Sequence, residues 1–219
     1  MSCSVYHKKQ YKMSQEQQNI NCLELFSGTC SFGKIVKTLG WKNTSLDMCN
    51  KFKPDINIDI MKWDYKQLPV DSFSIIWASP PCTEYSKAKT RGVRDIEGAN
   101  SIVLKVLEII EYFNPSLWII ENPQTSLLKK QPFMIKLEND YNYFDADYCM
   151  YGKPYRKRTR FWTNKETCNL LLCDKNCGSF VNNKHIGSCG NGRKKYSDKC
   201  YSVDEKHSIP PSLITNLLV

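Results

Sequence analysis

Short apolar runs alternate along this chain with longer amphipathic stretches. Residues 20–26 predict a buried strand, the turn Ser27-Gly28-Thr29-Cys30-Ser31 follows, and 32–39 predicts an amphipathic helix stopped by Gly40. Residues 44–47 and 55–60 predict two further strands that end in carboxylates, Asp47 and Asp59. A fourth strand over 73–78 (Phe73, Ile75, Ile76, Trp77, Ala78) precedes a helix over 99–113, whose Ile102, Val103, Val106, Ile109 and Ile110 recur at helical spacing. The fifth strand, 117–120, runs into Glu121-Asn122-Pro123, and a helix over 125–137 and strands over 144–150 and 160–163 complete the pattern. Such alternation predicts an α/β fold, doubly wound around a predominantly parallel sheet, with no internal repeat.

The fourth strand ends at Ser79-Pro80-Pro81-Cys82. Consecutive prolines fix φ and donate no backbone hydrogen bond, so the chain leaves the sheet stiffly and holds the Cys82 thiol still. Taken alone, the turn reads first as a strand terminator carrying a small apolar thiol. Small residues after the first strand let a ligand approach the backbone near a helix N-terminus, and in doubly wound sheets an acid ending the second strand, the place of Asp47, accepts hydrogen bonds from ribose hydroxyls. Neighbouring strands four and five deliver Cys82 and Glu121 to one sheet edge.

At 219 residues the chain is long enough for one sizeable core, or one core with a small appendage. No apolar run reaches membrane-spanning length and the polar stretch 1–19 has no signal-peptide core, so a soluble, intracellular monomer is expected. Eleven cysteines, an odd number without a secretion signal, point to reduced thiols, one reactive site and a metal rather than a disulfide framework. The net charge of +9 is concentrated: residues 151–200 hold twelve Lys and Arg against three acids, while the remainder balances at nineteen of each. A phosphate backbone would be met by such a basic quarter, as water would by a Lys-rich loop.

Leu23-Glu24-Leu25-Phe26-Ser27-Gly28, Ser79-Pro80-Pro81-Cys82, Glu121-Asn122 and Arg156-Lys157-Arg158-Thr159-Arg160 stand in the order and strand-end contexts of the carbon-5 cytosine DNA methyltransferases. The chain resembles the compact phage- and virus-type members over residues 20–164, with a weaker echo at Ile209-Pro210-Pro211-Ser212-Leu213. The resemblance implies a Rossmann-like, S-adenosylmethionine-dependent methyltransferase fold with a small basic C-terminal appendage. Its parts would be a tail over 1–19, a catalytic core over 20–163, a target-recognition-like segment over 164–206 and a return to the core over 207–219.

The chemistry asks for these residue types. Carbon 5 of cytosine is a poor nucleophile, and a thiolate adding at carbon 6 makes the ring an enamine that can attack a methyl sulfonium. Cys82 would be that thiolate, helped by positive charge from the Arg158/Arg160 strand. Glu121 would supply a proton or hydrogen bond to N3, for which burial at a strand end suits it. By resemblance, Arg158 and Arg160 hold the base oxygen and order the Cys82 loop, and Asn122 braces that loop. The cofactor S-adenosylmethionine would meet Phe26 and Met48 at its adenine, Asp47 at its ribose, Asp59 and Ile60 at the adenine edge, Ser27, Gly28 and Thr29 near its methionine end, and Pro80. Core packing explains Met48 nearly as well.

The sequence departs from the family pattern at Cys30 and Ser31, where many members carry glycine, and at Arg156, where Gln is usual. The segment after Asn164 is short, which implies relaxed or brief sequence specificity. It holds Cys173, Cys177, His185 and Cys189 at spacings compatible with tetrahedral zinc. Its cations Lys165, Lys175, Lys184, Arg193, Lys194, Lys195 and Lys199 are the expected contacts to duplex DNA. A tRNA or other RNA cytosine methyltransferase on the same core, or a weakly active nucleic-acid-binding relative, are the alternatives.

Overall fold

The computed structural model describes residues 20–188 and 201–219. Seven strands build one sheet: β1 (Asn21–Leu25), β2 (Lys42–Asp47), β3 (Ile56–Asn57), β4 (Ile75–Ala78), β5 (Leu117–Pro123), β6 (Asn142–Asp147) and β7 (Arg158–Thr163). Their order is β3-β2-β1-β4-β5-β7-β6, with β1 to β5 parallel and β7 antiparallel to both its neighbours. A separate two-stranded hairpin pairs β8 (Phe180–Val181) with β9 (Lys184–His185).

Helices α1 (Ser31–Thr38) and α5 (Pro211–Leu218) cover one face, and α2 (Ile96–Phe113) and α3 (Pro132–Asp140) cover the other. A short α4 (Val203–His207) precedes α5. The central strands are buried on both sides, which is why they read as unbroken apolar runs. In β4, Ile75 and Trp77 pack toward α1 and α5, whereas Ile76 and Ala78 pack toward α2 and α3. This is the doubly wound arrangement expected from the sequence. No helix among the described residues is long and apolar enough to cross a membrane.

Several elements differ from expectation. The helix expected over 125–137 begins only at Pro132, preceded by a 3-10 turn over Leu127–Lys130. Proline has no N–H and clashes with the preceding turn, so it starts this helix instead of lying inside it. β3 is only two residues long, and β6 ends at Asp147, where the chain turns through Tyr148–Tyr151. Helix α2 starts a turn earlier than expected because Asp95 accepts from Gly98 N at 2.8 Å and so satisfies its first turn.

After β1 the chain adds β2 and β3 on one side, then returns to lay β4 and β5 on the other. The crevice at the carboxyl ends of β1 and β4 is therefore the switch point where ligands bind in such sheets. Because β7 is antiparallel, its first residues and the last of β6 share that edge.

Candidate active site

The Cys82 loop leaves β4 at this edge. Ser79 N donates to Leu25 O at 3.2 Å, Trp77 Nε1 donates to Ser79 Oγ at 3.0 Å, and the buried Asn122 donates through Nδ2 to Pro80 O at 3.0 Å. The brace expected of Asn122 is thus present as a geometry. Cys82 itself is half-buried. Burial pushes its thiol up, the Glu121 carboxylate pushes it further, and the Lys157 ammonium draws it back down.

Glu121 lies opposite Phe161 in the β5–β7 register, so the two side chains share a sheet face. Tyr148 Oη donates to Glu121 Oε1 at 3.4 Å, and both groups are buried. Burial, reinforced by Glu121, pushes the Tyr148 phenol well above its usual range and keeps it a proton donor. Lys157 continues the same alternation; its ammonium lies 4.8 Å from the Tyr148 ring centre and donates to Lys206 O at 3.3 Å. His207, at the end of α4, feels both Lys157 and Glu121. No sequence signal marks Tyr148 or His207, and Lys157 is visible only as a member of the basic cluster 156–160.

Arg158 and Arg160 share a face, as their spacing requires, but it is the other one. Arg160 lies opposite Asn122, not Glu121. Its guanidinium is held by Asp145 at 2.8 Å and Glu138 at 3.1 Å and stacks 3.7 Å from the Tyr143 ring centre. Arg158 is held by Asp147 at 2.7 and 3.0 Å. The structure does not bring either arginine to Cys82, and the cation bearing on the thiol is Lys157. Side chains alternate along a strand, so one residue of register exchanges the two sets.

The residues expected around the cofactor gather at the carboxyl ends of β1 and β2. Gly28 N and Cys49 N each donate to the Asp47 carboxylate at 2.8 Å, which fixes its position and leaves lone pairs free. Phe26, Gly28 and Cys30 all adopt positive φ (58°, 44° and 55°), the left-handed region that bends the chain into a tight turn after β1. Ser27 Oγ is buried beside the Cys30 thiol. Met48 is 73% exposed, so core packing does not explain it. Asp59 caps the following turn by accepting from Met61 N at 3.0 Å, with Ile60 buried beside it. An anchored acid at the end of β2, an exposed apolar side chain next to it and a tight turn after β1 fit the ribose, adenine and methionine parts of S-adenosylmethionine.

Of the expected zinc ligands, Cys173, Cys177 and His185 come together, and they do so with Cys149. Cys189 lies outside the described residues, as do Arg193, Lys194, Lys195 and Lys199. Lys165 follows the far end of β7, at the edge opposite Cys82, and donates to Leu217 O at 3.2 Å in α5. Lys175 and Lys184 lie in the segment beside the catalytic edge.

Comparison with known proteins adds the family. The profile of the C-5 cytosine-specific DNA methylases matches residues 20–146. A Frog virus 3 (isolate Goorha) protein named "Probable DNA (cytosine-5)-methyltransferase" is 30% identical over 222 residues, covering 90% of this chain and 97% of its own. Among solved structures, an E. coli prophage-encoded protein titled as a DNA modification methyltransferase aligns with a TM-score of 0.50 at 15% identity, over 66% of this chain and 46% of that one. The S. pombe Dnmt2 methyltransferase aligns at 0.49 and 18% identity, over 70% and 52%. The chain thus spans about half the length of these two structures, of which the first speaks to the fold. A profile match running from the first strand into the sixth, joined to a viral relative alike over nearly its whole length, shows that this chain belongs to the C-5 cytosine-specific DNA methylase family.

Proposed function

We propose that this protein methylates carbon 5 of cytosine in DNA inside an infected or host cell, through a transient bond from Cys82 to a base flipped out of the duplex. The observation that carries this reading is the convergence of Cys82, Glu121, Tyr148 and Lys157 at the switch-point edge, beside the Asp47 turn. S-adenosylmethionine would be held by Phe26, Ser27, Gly28, Asp47, Met48, Asp59 and Ile60, and would supply an electrophilic methyl group whose bond to the sulfonium sulfur breaks to leave a neutral thioether.

Lys157 favours the Cys82 thiolate, which adds its electron pair to carbon 6 of the ring. The carbon 5–carbon 6 double bond shifts toward N3, where Glu121, backed by the Tyr148 hydroxyl, delivers a proton or hydrogen bond to offset the charge. Carbon 5 then takes the methyl group, a base removes the carbon 5 proton, and the returning electron pair expels Cys82 as thiolate. Asn122 keeps the nucleophile in place by fixing Pro80 O. A stacked cytosine hides carbon 6, so the base must leave the helix, a cost of a few kcal/mol that backbone contacts offset.

The test is transfer of a labelled methyl group to duplex DNA and to RNA, with 5-fluorocytosine substrates as traps. Fluorine replaces the proton that must leave, so the Cys82 adduct persists. Wild type should label DNA and form a covalent complex, and Cys82→Ala should do neither while still binding cofactor. Methylation by Cys82→Ala above about a hundredth of wild type, far more than loss of a covalent nucleophile permits, would remove Cys82 from the mechanism. Label appearing on RNA alone would transfer the activity to the RNA alternative.

A further inference from the structure

A second cluster stands at the same sheet edge. Cys149 lies in the turn after β6, Cys173 and Cys177 flank a tight loop, and His185 ends β9. One ligand atom from each lies within 4.8 Å of all the others, and Cys173 Sγ is 3.6 Å from His185 Nε2. Tetrahedral zinc with bonds of about 2.0–2.3 Å requires ligand atoms separated by about 3.3–3.8 Å. We propose that these four residues bind one structural zinc ion, and that Cys149, donated by the catalytic body, is the fourth ligand.

The backbone is shaped for the purpose. Lys175 and Gly178 take positive φ (83° and 71°), curling the chain around Cys173 so that Lys175 N donates to its sulfur at 3.3 Å. An N–H aimed at sulfur stabilises a metal-bound thiolate. Asn182 and Asn183 also take positive φ (50° and 63°), the conformation of a two-residue hairpin turn, and this places His185 opposite Phe180. The Phe180 ring packs edge-on to the imidazole at 5.2 Å and fixes its orientation.

Apolar packing does not hold this segment. Between 171 and 188 only Cys173 and Gly187 are buried, while Leu171, Leu172, Val181 and Ile186 are each about half exposed. An isolated two-stranded hairpin is marginal in water, and a segment without a core gains its folding free energy from a metal. A disulfide would use two of the three thiols and leave the third and the imidazole without a role.

The ion would also join two parts of the protein. Cys173 N donates to Asp147 Oδ2 at 2.8 Å, and Asp147 N donates to Leu171 O at 3.0 Å. Asp147, fully buried, holds Arg158 and Arg156. Zinc therefore clips the segment bearing Lys175 and Lys184 onto the end of β6, at the edge that presents Cys82.

The full-length protein, expressed with added zinc and purified without chelator, should contain one zinc per chain by elemental mass spectrometry. X-ray absorption at the zinc edge should show three sulfurs at about 2.3 Å and one nitrogen at about 2.0–2.1 Å. Replacement by cobalt should produce tetrahedral d–d absorption with thiolate charge transfer. Cys149→Ser should lose the metal or bind it at least tenfold more weakly, whereas Cys189→Ser should retain a full equivalent and the same absorption spectrum. Chelation should speed proteolytic cutting within 173–188, and zinc should reverse it. A protein that binds no zinc on addition, a four-sulfur site, or loss of metal from Cys189→Ser with retention in Cys149→Ser would each overturn the assignment. The wild-type spectrum reads the ligand set directly, so it decides the matter even if Cys149→Ser fails to fold.

Discussion

Glu24 offers a sharp physical test of how the cofactor turn is supported. It is 3% exposed and accepts from Phe32 N at 3.2 Å, Gly33 N at 3.1 Å and Asn43 Nδ2 at 3.2 Å. The two backbone donors belong to the first turn of α1, whose N-cap residue, Cys30, makes no side-chain cap, and Asn43 reaches the same carboxylate from β2. Gly33 is required there, because a Cβ would stand 2.5 Å from Asn43 Nδ2 and 2.7 Å from Glu24 Oε2. Burial outweighs those hydrogen bonds and pushes the carboxyl from an ordinary 4.5 up to about 7. At about 1.4 kcal/mol per pH unit, the difference amounts to about 3 kcal/mol. The folded protein holds this proton more tightly than the unfolded chain. Stability from this group is therefore fully present below pH 4.5, declines as pH rises toward 7, and is constant above. Glu24→Gln removes the titration and adds a roughly pH-independent cost of about 1–3 kcal/mol for mismatched donors. Urea unfolding of both proteins between pH 4.5 and 8 should show the variant gaining about 3 kcal/mol on wild type across that range. With m of about 1–3 kcal/mol/M, the relative midpoint moves by about 1–3 M. Parallel stability curves would refute the reasoning, because they would mean that Glu24 ionises normally within the fold.

Two further substitutions separate the faces of β7. Lys157→Met removes the cation that lowers the Cys82 thiol, so the acid limb of kcat/KM should move to higher pH and neutral activity should fall; an unmoved limb would exclude Lys157 from thiolate formation. Arg160→Met should instead cost about 3–5 kcal/mol of stability by stranding Asp145 and Glu138, as thermal or urea unfolding would show, with the pH profile unchanged. Asp47→Ala should weaken S-adenosylmethionine binding by about 1.5–3 kcal/mol in calorimetry, the scale of hydrogen bonds to a charged group. Unchanged affinity would mean that β2 does not end at the ribose.

Much of this protein is legible in its sequence. Strand and helix periodicity is local, and a parallel sheet places every strand's carboxyl end on one side. Cys82, Glu121, Asp47 and the Ser27–Gly28 turn could therefore be assigned to one edge from chain order alone. Proline chemistry is equally local: Pro80 and Pro81 mark the loop, and Pro132 delays the start of α3. Other features depend on long-range pairing. Whether Arg158 and Arg160 or Lys157 and Thr159 face Glu121 is set by the register of β7 on β5, where one residue reverses every side chain and the local pattern is basic on both faces. Cys149 is 24 residues before Cys173 and falls within the strand expected over 144–150, so no ligand spacing points to it. Only the turn after β6 carries it to Cys177 and His185. The elevated proton affinity of Glu24 likewise arises from α1 and Asn43 closing over a single acid in an apolar strand. Composition and periodicity determined which residues occupy the edge; packing of distant segments decided which of them meet.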